Sequence, residues 1–217
     1  SILKWYQKNI EDKKAEIVLN SPLLTEVNKF EKSYLRNKFN IPKKSIIFIY
    51  IGILTQGRGI NLITEVFKDK SLDSHVVFLG YGDMKRELIK LSEECGNIHV
   101  HNSVSHEKVV SIAKSANVGL ALIENISLSD YYCLPNKLFE YAFAEIPVLA
   151  SNFPDISMVV NKYSLGKCSN LDSKSICSAI KEFEEMKILP KIDLKEMYGL
   201  SWEAQEEKLN KLYKELL

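Results

Sequence analysis

The feature that most constrains the fold is a regular alternation of apolar runs with segments of helical periodicity, between residues 45 and 150. The apolar runs lie at 45–51, 76–79, 98–101, 118–122 and 148–150. Strands that are apolar throughout are buried on both faces, and strands that alternate with helices pair in parallel. The sequence therefore predicts an α/β fold with a doubly wound, parallel, Rossmann-like sheet.

The remaining segments are assigned by the same periodicities. Helices are expected at 1–14, 23–40, 60–68, 83–94, from 105, from 135, at 155–160, 172–186 and from 201 to the end. A short strand is expected at 16–20 and an edge strand at 165–168. There is no internal repeat and no low-complexity segment, so these elements are expected to form one main domain with appendages.

Four loops follow predicted strands, and they begin at Gly52, Gly80, Ser103 and Pro135. Ligands of open parallel sheets bind outside the carboxyl ends of the strands. All four loops are therefore expected at the edge of the sheet where a ligand would bind.

The loop at Pro135 leads into the sequence LPNKLFE. Pro135 suits the first position of a helix, so the backbone N–H groups of Asn136, Lys137 and Leu138 would lack intrahelical acceptors. These groups and the helix dipole attract phosphate. Glu140 shares a helical face with Asn136 and Lys137, and its carboxylate can accept two hydrogen bonds from a ribose diol. The segment predicts a nucleotide site; the alternative is an ordinary capped helix.

The loop at Gly52 has the sequence GILTQGRG and nearly matches a Walker A loop. Arg58 replaces the phosphate-binding lysine, and Gly59 replaces the Ser or Thr that holds Mg²⁺, which excludes a P-loop ATPase. An arginine in a glycine loop can still donate two hydrogen bonds to phosphate oxygens. The loop is either a diphosphate cradle or a flexible turn with a solvated arginine.

The loop at Gly80 reads Gly80-Tyr81-Gly82 and lacks the third glycine of a dinucleotide fingerprint. NAD and FAD are therefore disfavoured. The two glycines either bring the backbone close to a ligand or allow tight packing. Before the helix at Pro135, Tyr131 and Tyr132 either line a sugar pocket or cover the sheet edge. Cys133 follows them, and because no base is near in sequence an inert thiol is favoured.

Composition disfavours several classes of function. With 29 basic and 28 acidic residues the net charge is +1, so no strong field selects nucleic acid or an anionic membrane. Four cysteines without C-x-x-C spacing indicate reduced thiols in the cytoplasm. The four histidines have no partners at metal-ligand spacing, so no metal site is expected. No apolar run approaches the roughly 20 residues of a membrane-spanning helix.

Together these motifs resemble the carboxy-terminal half of a group 1 glycosyltransferase with the two-domain GT-B fold. The specific match is the run PNKLFEY, which continues into Ile146-Pro147-Val148. The supporting matches are Gly52 with Arg58-Gly59, then Gly80-Tyr81-Gly82, and Ser201-Trp202-Glu203. The resemblance covers residues 16–217.

The resemblance implies roles for these residues. Glu140 would be the second glutamate of an E-x7-E motif and would hold the donor ribose. The diphosphate would bind amides at Asn136, Lys137 and Leu138, with Gly52, Gly80 and Tyr81 lining the donor site. Arg58 would stabilise the departing nucleoside diphosphate. No cofactor or metal would be needed beyond the nucleotide-sugar donor itself.

Two positions depart from the family pattern. Tyr132 stands where the first glutamate of the motif is expected, so it takes the catalytic position that usually contacts the donor sugar. Ile53 stands where many members carry an arginine, so only one of two phosphate-binding cations is expected.

By the same resemblance, residues 1–20 are expected to be the tail of an amino-terminal acceptor domain plus linker, and residues 21–200 the donor-binding domain. Residues 201–217 are expected to form a helix that packs back towards the amino-terminal domain. Both terminal segments should then expose apolar surface. The expected activity is hexose transfer from a UDP- or GDP-sugar to a polysaccharide or lipid-linked glycan, in the cytoplasm or peripherally on the inner face of the membrane. The alternatives are a non-catalytic scaffold, or a 2-epimerase, which would need acid–base carboxylates and histidines in its cleft.

Overall fold

A computed structural model of the chain describes residues 2–10, 16–24 and 31–216. Its six strands are β1 (Ile47–Ile53), β2 (His75–Tyr81), β3 (Ile98–Asn102), β4 (Val118–Ala121), β5 (Val148–Ser151) and β6 (Gly166–Ser169). They form one sheet in the order β3-β2-β1-β4-β5-β6, and all neighbours are parallel. The predicted doubly wound, Rossmann-like α/β fold is confirmed. The order reverses between β1 and β4, which makes the crevice there the expected ligand site.

The described helices connect these strands and extend beyond them. They are α1 (Ile2–Asn9), α2 (Tyr34–Lys38), α3 (Ile60–Phe67), α4 (Lys85–Glu94), α5 (His106–Ala113), α6 (Leu128–Tyr131), α7 (Asn136–Phe143), α8 (Pro154–Lys162), α9 (Ser173–Glu185) and α10 (Trp202–Leu216). A 3₁₀ helix spans Leu194–Leu200.

The core lies on both faces of the sheet, as the apolar strands predict. Along β1, Ile47, Ile49 and Ile51 pack on one face with the buried residues of α5, α7 and α8. Phe48 and Tyr50 point the other way and pack with α3, α4 and α9. The two apolar layers hold the strand ends, and the loops that follow them, in fixed positions.

Two predicted elements differ in the structure. Residues 16–20 are not a strand, and Leu19 N–H donates to a side chain of α10, Gln205 Oε1, at 3.1 Å. Just after this segment, Trp202 N–H at the start of α10 donates to Pro22 O at 3.0 Å. Of the helix predicted over 23–40, the described residues form only the short helix α2. Residues 25–30 of that prediction lie outside the described residues. Part of the helix predicted over 1–14, residues 11–14, also lies outside.

The terminal segments carry apolar side chains of mixed exposure. Tyr6 and Ile10 are about half exposed and Tyr213 is exposed, whereas Leu209 and Leu212 are half-buried. None of the helices in the described ranges is long and apolar enough to cross a membrane.

Candidate functional site

Two loops meet at the switch point between β1 and β4. The loop after β1 contains Gly57 and Gly59, and the loop after β4 contains Glu124. Glu124 N–H donates to Gly57 O at 3.1 Å, and Gly59 N–H donates to Glu124 Oε1 at 3.0 Å. The glycine loop is therefore fixed to its neighbour, and one of the amides available for a diphosphate cradle is already bonded to a carboxylate.

Helix α7 is held over the same point by Tyr141. This buried hydroxyl accepts from Ile51 N–H at 3.0 Å and lies within hydrogen-bond distance of the carbonyls of Ile49 and Leu120, at 3.0 and 3.1 Å. It therefore bonds to both β1 and β4 where their pairing ends. The result is that the first turn of α7 stands over the crevice.

The amino terminus of α7 differs slightly from the prediction. The helix begins at Asn136, and Pro135 is its N-cap in an extended conformation rather than its first residue. Leu138 N–H donates to Pro135 O at 3.0 Å, so the prediction that this amide is free is wrong. The Leu138 side chain is buried in the core. For the amides of Asn136 and Lys137 the described residues provide no hydrogen-bond acceptor.

The ammonium of Lys137 lies 3.7 Å from the centre of the Tyr50 ring. A Cβ placed on Gly52 would be 3.6 Å from this nitrogen, so Lys137 reaches the end of β1. Among the described residues it has no ion-pairing carboxylate. Burial, and after it the positive charge of Arg58, lowers the pKa of Lys137 to about 7, while Glu140 opposes the shift. An aromatic ring rather than an anion lies against this nitrogen.

Glu140, one turn further along α7, is buried. Within the described ranges its carboxylate accepts no hydrogen bond, and its nearest charged partner is His106, with Nδ1 3.8 Å from Oε1. Burial raises the pKa of Glu140, while His106 and Lys137 act in the opposite direction. His106 begins α5, and sequence reasoning missed it because its approach depends on how α5 packs against α7.

Arg58 lies on the glycine loop with its guanidinium partly exposed. Its Nη1 is 3.7 Å from Oδ1 of Asp130, which belongs to the short helix α6. The pair is long for a hydrogen bond, so Arg58 keeps donors for another anion. Its charge acts on Lys137 and on Tyr50, which brings two cations to one crevice.

The other predicted site residues, Gly80, Tyr81 and Tyr132, make fewer contacts with the charged residues of α7. A Cβ on Gly80 would lie 1.9 Å from Gly52 O, so tight packing accounts for this glycine. Tyr81 is exposed at the end of β2, and Tyr132 packs its ring on Tyr131 with centres 5.0 Å apart. In the part of the chain that the structure describes, neither tyrosine makes an ion pair or ring contact with the charged residues of α7.

Neither a thiol nucleophile at Cys133 nor a metal site finds support in the described residues. Burial and the charge of Asp130 raise the pKa of Cys133, whereas a thiol nucleophile needs the opposite shift. Among the described residues, no three His, Cys, Asp or Glu side chains are grouped to hold a metal ion.

Comparison with solved structures shows the same fold in several glycosyltransferases. HepE from Anabaena, solved in complex with UDP, superposes with a TM-score of 0.73 at 10% identity, over 92% of this chain and 57% of that one. Sucrose-phosphate synthase from Thermosynechococcus elongatus gives 0.73 at 17% identity, over 99% and 56%. A glycosyltransferase from Rickettsia africae gives 0.63 at 14% identity, over 85% and 51%.

The chain thus spans about half the length of these structures. No curated protein sequence matches it. The family model described as "Glycosyl transferases group 1" matches residues 31–196, which is more than half of the 217 residues. The chain belongs to the group 1 glycosyltransferases.

Proposed function

We propose that the chain is the donor-binding, carboxy-terminal half of a retaining glycosyltransferase, which transfers a hexose from a UDP- or GDP-sugar. The observation that carries the proposal is the pair of ionisable side chains on the first two turns of α7. Lys137 has no ion-pairing carboxylate and Glu140 accepts no hydrogen bond from the described residues, although Glu140 is buried. Ionising these groups in the crevice is costly without partners, so a ligand that supplies both partners is expected.

A nucleoside diphosphate supplies both. Its phosphates match the cations Arg58 and Lys137 and the amides of Asn136 and Lys137 at the helix tip. Its ribose diol matches the carboxylate of Glu140, which can accept from two hydroxyls. One turn of helix separates the phosphate-binding groups at the tip of α7 from the carboxylate of Glu140, as a diphosphate and its ribose require.

In the proposed reaction, the bond between the anomeric carbon and the diphosphate oxygen breaks. The acceptor oxygen bonds to the same face of the sugar and passes its proton to the departing diphosphate oxygen. Negative charge develops on the departing oxygen, and the preorganised charges of Arg58 and the tip of α7 stabilise it. Tyr132 would then contact the sugar in place of a glutamate.

The partners of the whole protein follow from the same proposal. HepE was solved in complex with UDP, and its similar fold supports a nucleotide-sugar donor for this chain. A polysaccharide or lipid-linked glycan would be the acceptor, held by an amino-terminal domain. We place the reaction in the cytoplasm, with peripheral association at the inner face of the membrane where the acceptor is lipid-linked.

Isothermal titration of the chain with UDP, GDP and ADP tests the donor site. One diphosphate should bind in preference, and Glu140→Ala and Arg58→Ala should each weaken it by roughly tenfold, since each removes a charged hydrogen-bonding group. The exposed Glu185 at the end of α9 provides the control, because Glu185→Ala removes a carboxylate far from the crevice without touching it.

A non-catalytic scaffold is the second candidate, and Tyr132 and Ile53 favour it because both lack the charge expected at their positions. A folded chain that binds none of the three diphosphates supports the scaffold. Equal binding by the wild type and Glu140→Ala rejects the ribose role.

A further inference from the structure

The Lys137 side chain is part of the crevice in its own right, separately from the backbone amide of the same residue. We propose that its nitrogen is a direct ligand of the donor diphosphate and takes up a proton from water when the diphosphate binds. This inference rests on the proposed function, whose diphosphate it requires.

The geometry aims this nitrogen at the ligand edge of the sheet. Lys137 comes from α7, but its Nζ lies against Gly52, the penultimate residue of β1 and part of the crevice rim. Gly52 has a φ of 133°, a conformation that residues with a Cβ rarely adopt. The Tyr50 ring lies beneath the nitrogen, and the Tyr50 hydroxyl is engaged elsewhere because it donates to Ile53 O at 2.9 Å.

The charges that face this nitrogen leave it short of negative partners. Arg58 from the glycine loop repels a proton on it, whereas Glu140 from the same helix and Cys133 from the preceding loop favour one. Glu140 is itself buried and shared with His106, and burial raises the pKa of Cys133. With the pKa of Lys137 near 7, the amine is largely neutral in the free protein above that pH.

A diphosphate reverses this balance. Its oxygens bring negative charge into contact with the nitrogen, which favours the ammonium over the amine. The lone pair of the amine then bonds a proton from water or buffer, and the resulting N–H groups donate to the phosphate oxygens. Binding of the nucleotide and protonation of Lys137 are therefore linked, and each must strengthen the other.

Calorimetric titration with UDP and GDP at about pH 8, in Hepes and in Tris, measures this linkage. The two buffers absorb different heats when they give up a proton, so the difference in binding enthalpy counts the protons taken up. The phosphates of the free nucleotide are fully ionised at this pH. An amine with a pKa of about 7 is mostly neutral there, so the wild type should take up the larger part of a proton per nucleotide.

Two variants separate a ligand role from a packing role. Lys137→Arg keeps a permanent charge, so it should bind nucleotide with almost no proton uptake. Lys137→Met keeps the apolar stem on the Tyr50 ring but loses the charge, and should bind roughly tenfold more weakly or worse, also without uptake. Lys90 is exposed on α4, so Lys90→Met should retain both the affinity and the uptake of the wild type.

The outcomes distinguish this inference from the proposed function. If the wild type binds a diphosphate but Lys137→Met binds it equally well with the same uptake, the inference is wrong and the donor site stands. If the folded wild type binds neither nucleotide, both are wrong. Uptake that persists in Lys137→Arg would assign the proton to another group and overturn the inference alone.

Discussion

At the scale of single residues, Gly119 illustrates how closely α7 approaches the sheet. A Cβ on Gly119 would lie 2.3 Å from Cγ of the Tyr141 ring, which is buried and fixed by its hydroxyl. Neither the ring nor strand β4 can move without breaking bonds at the crevice. The Gly119→Ala variant is therefore expected to lose about 3 kcal/mol of unfolding free energy through overpacking, as measured by urea denaturation.

The control for this substitution is Gly96→Ala, because a Cβ on Gly96 meets no atom within 4 Å. It should change the unfolding free energy by less than about 0.5 kcal/mol. Equal stability of the two variants would show that Tyr141 does not pack on Gly119 as described.

Asp130 is expected to compete with the donor for Arg58. Its carboxylate lies 3.7 Å from the guanidinium, and a partly exposed ion pair of this kind contributes at most about 1 kcal/mol. Asp130→Asn should therefore tighten nucleotide binding by up to about fivefold, as measured by titration. Asp73→Asn, which makes the same charge change in an exposed loop before β2, should have no effect. Weaker binding by Asp130→Asn would instead make Asp130 part of the donor site.

Only part of the site could be predicted at this scale. Helical spacing places Lys137 and Glu140 on one face, and the structure confirms it. The position of Lys137 against Tyr50 and Gly52 was not predictable, because it depends on α7 crossing β1, which is about 85 residues earlier in the chain. For the same reason, the sequence draws attention to Arg58 alone, whereas the structure also brings the Lys137 side chain to the crevice.

At the scale of elements, the edge pair β2–β3 carries a stack of imidazoles. His75 Nδ1 and His99 Nε2 are 2.9 Å apart, and the planes of the two rings are nearly parallel. Phe39 stacks on His99. Burial, with the neighbouring charge of His75, lowers the pKa of His99 to about 4; burial also lowers that of His75. Burial therefore favours the neutral form of both imidazoles.

Acidification should weaken this edge. In the unfolded chain His99 titrates near 6.5, so below that pH the unfolded state binds more protons and is favoured. The stabilisation is complete above about pH 6.5 and is lost as the pH falls towards about 4. After allowance for solvent screening the loss is about 1 to 2 kcal/mol.

Urea denaturation at several pH values measures this loss. His99→Gln keeps hydrogen-bonding capacity without a titrating group, so its stability should fall less between these pH values. If the unfolding free energies of the wild type and His99→Gln fell equally with pH, His99 would not be the responsible group.

The elements themselves were predictable wherever periodicity was strong. The strands of the sheet lie within about two residues of their predicted bounds, because apolar runs buried on two faces leave few alternatives. The short helix α6 and the 3₁₀ helix at 194–200 were missed, since elements of four to seven residues carry too little periodicity. The strand predicted at 16–20 was wrong because an extended segment can bond to side chains as well as to a strand.

At the scale of the whole molecule, Gln205 links segments far apart in sequence. It is fully buried; its amide oxygen accepts from Leu19 N–H, and its amide nitrogen donates to Gly199 O at 2.9 Å. Gln205→Leu would leave both backbone groups without this partner, so a loss of about 2 kcal/mol or more is expected. Faster amide hydrogen exchange at Leu19 in this variant would confirm the cause.

The exposed Gln7 on α1 offers a matched substitution. Gln7→Leu should leave both the unfolding free energy, within about 0.5 kcal/mol, and the exchange rate at Leu19 unchanged. If the Leu19 amide exchanged as slowly in Gln205→Leu as in Gln7→Leu, other contacts would hold the 16–24 segment in place.

The strand order also has a consequence for how the molecule assembles in time. Strands β1–β3 and β4–β6 are each continuous in sequence, and the Tyr141 hydroxyl closes the boundary between them. Arg58 belongs to the first half and Glu140 to the second, so neither half contains the crevice. In stopped-flow refolding, far-UV dichroism should recover before binding of a fluorescent nucleotide does, because helices form locally and the boundary closes last. Simultaneous recovery would mean that the two halves fold as one unit.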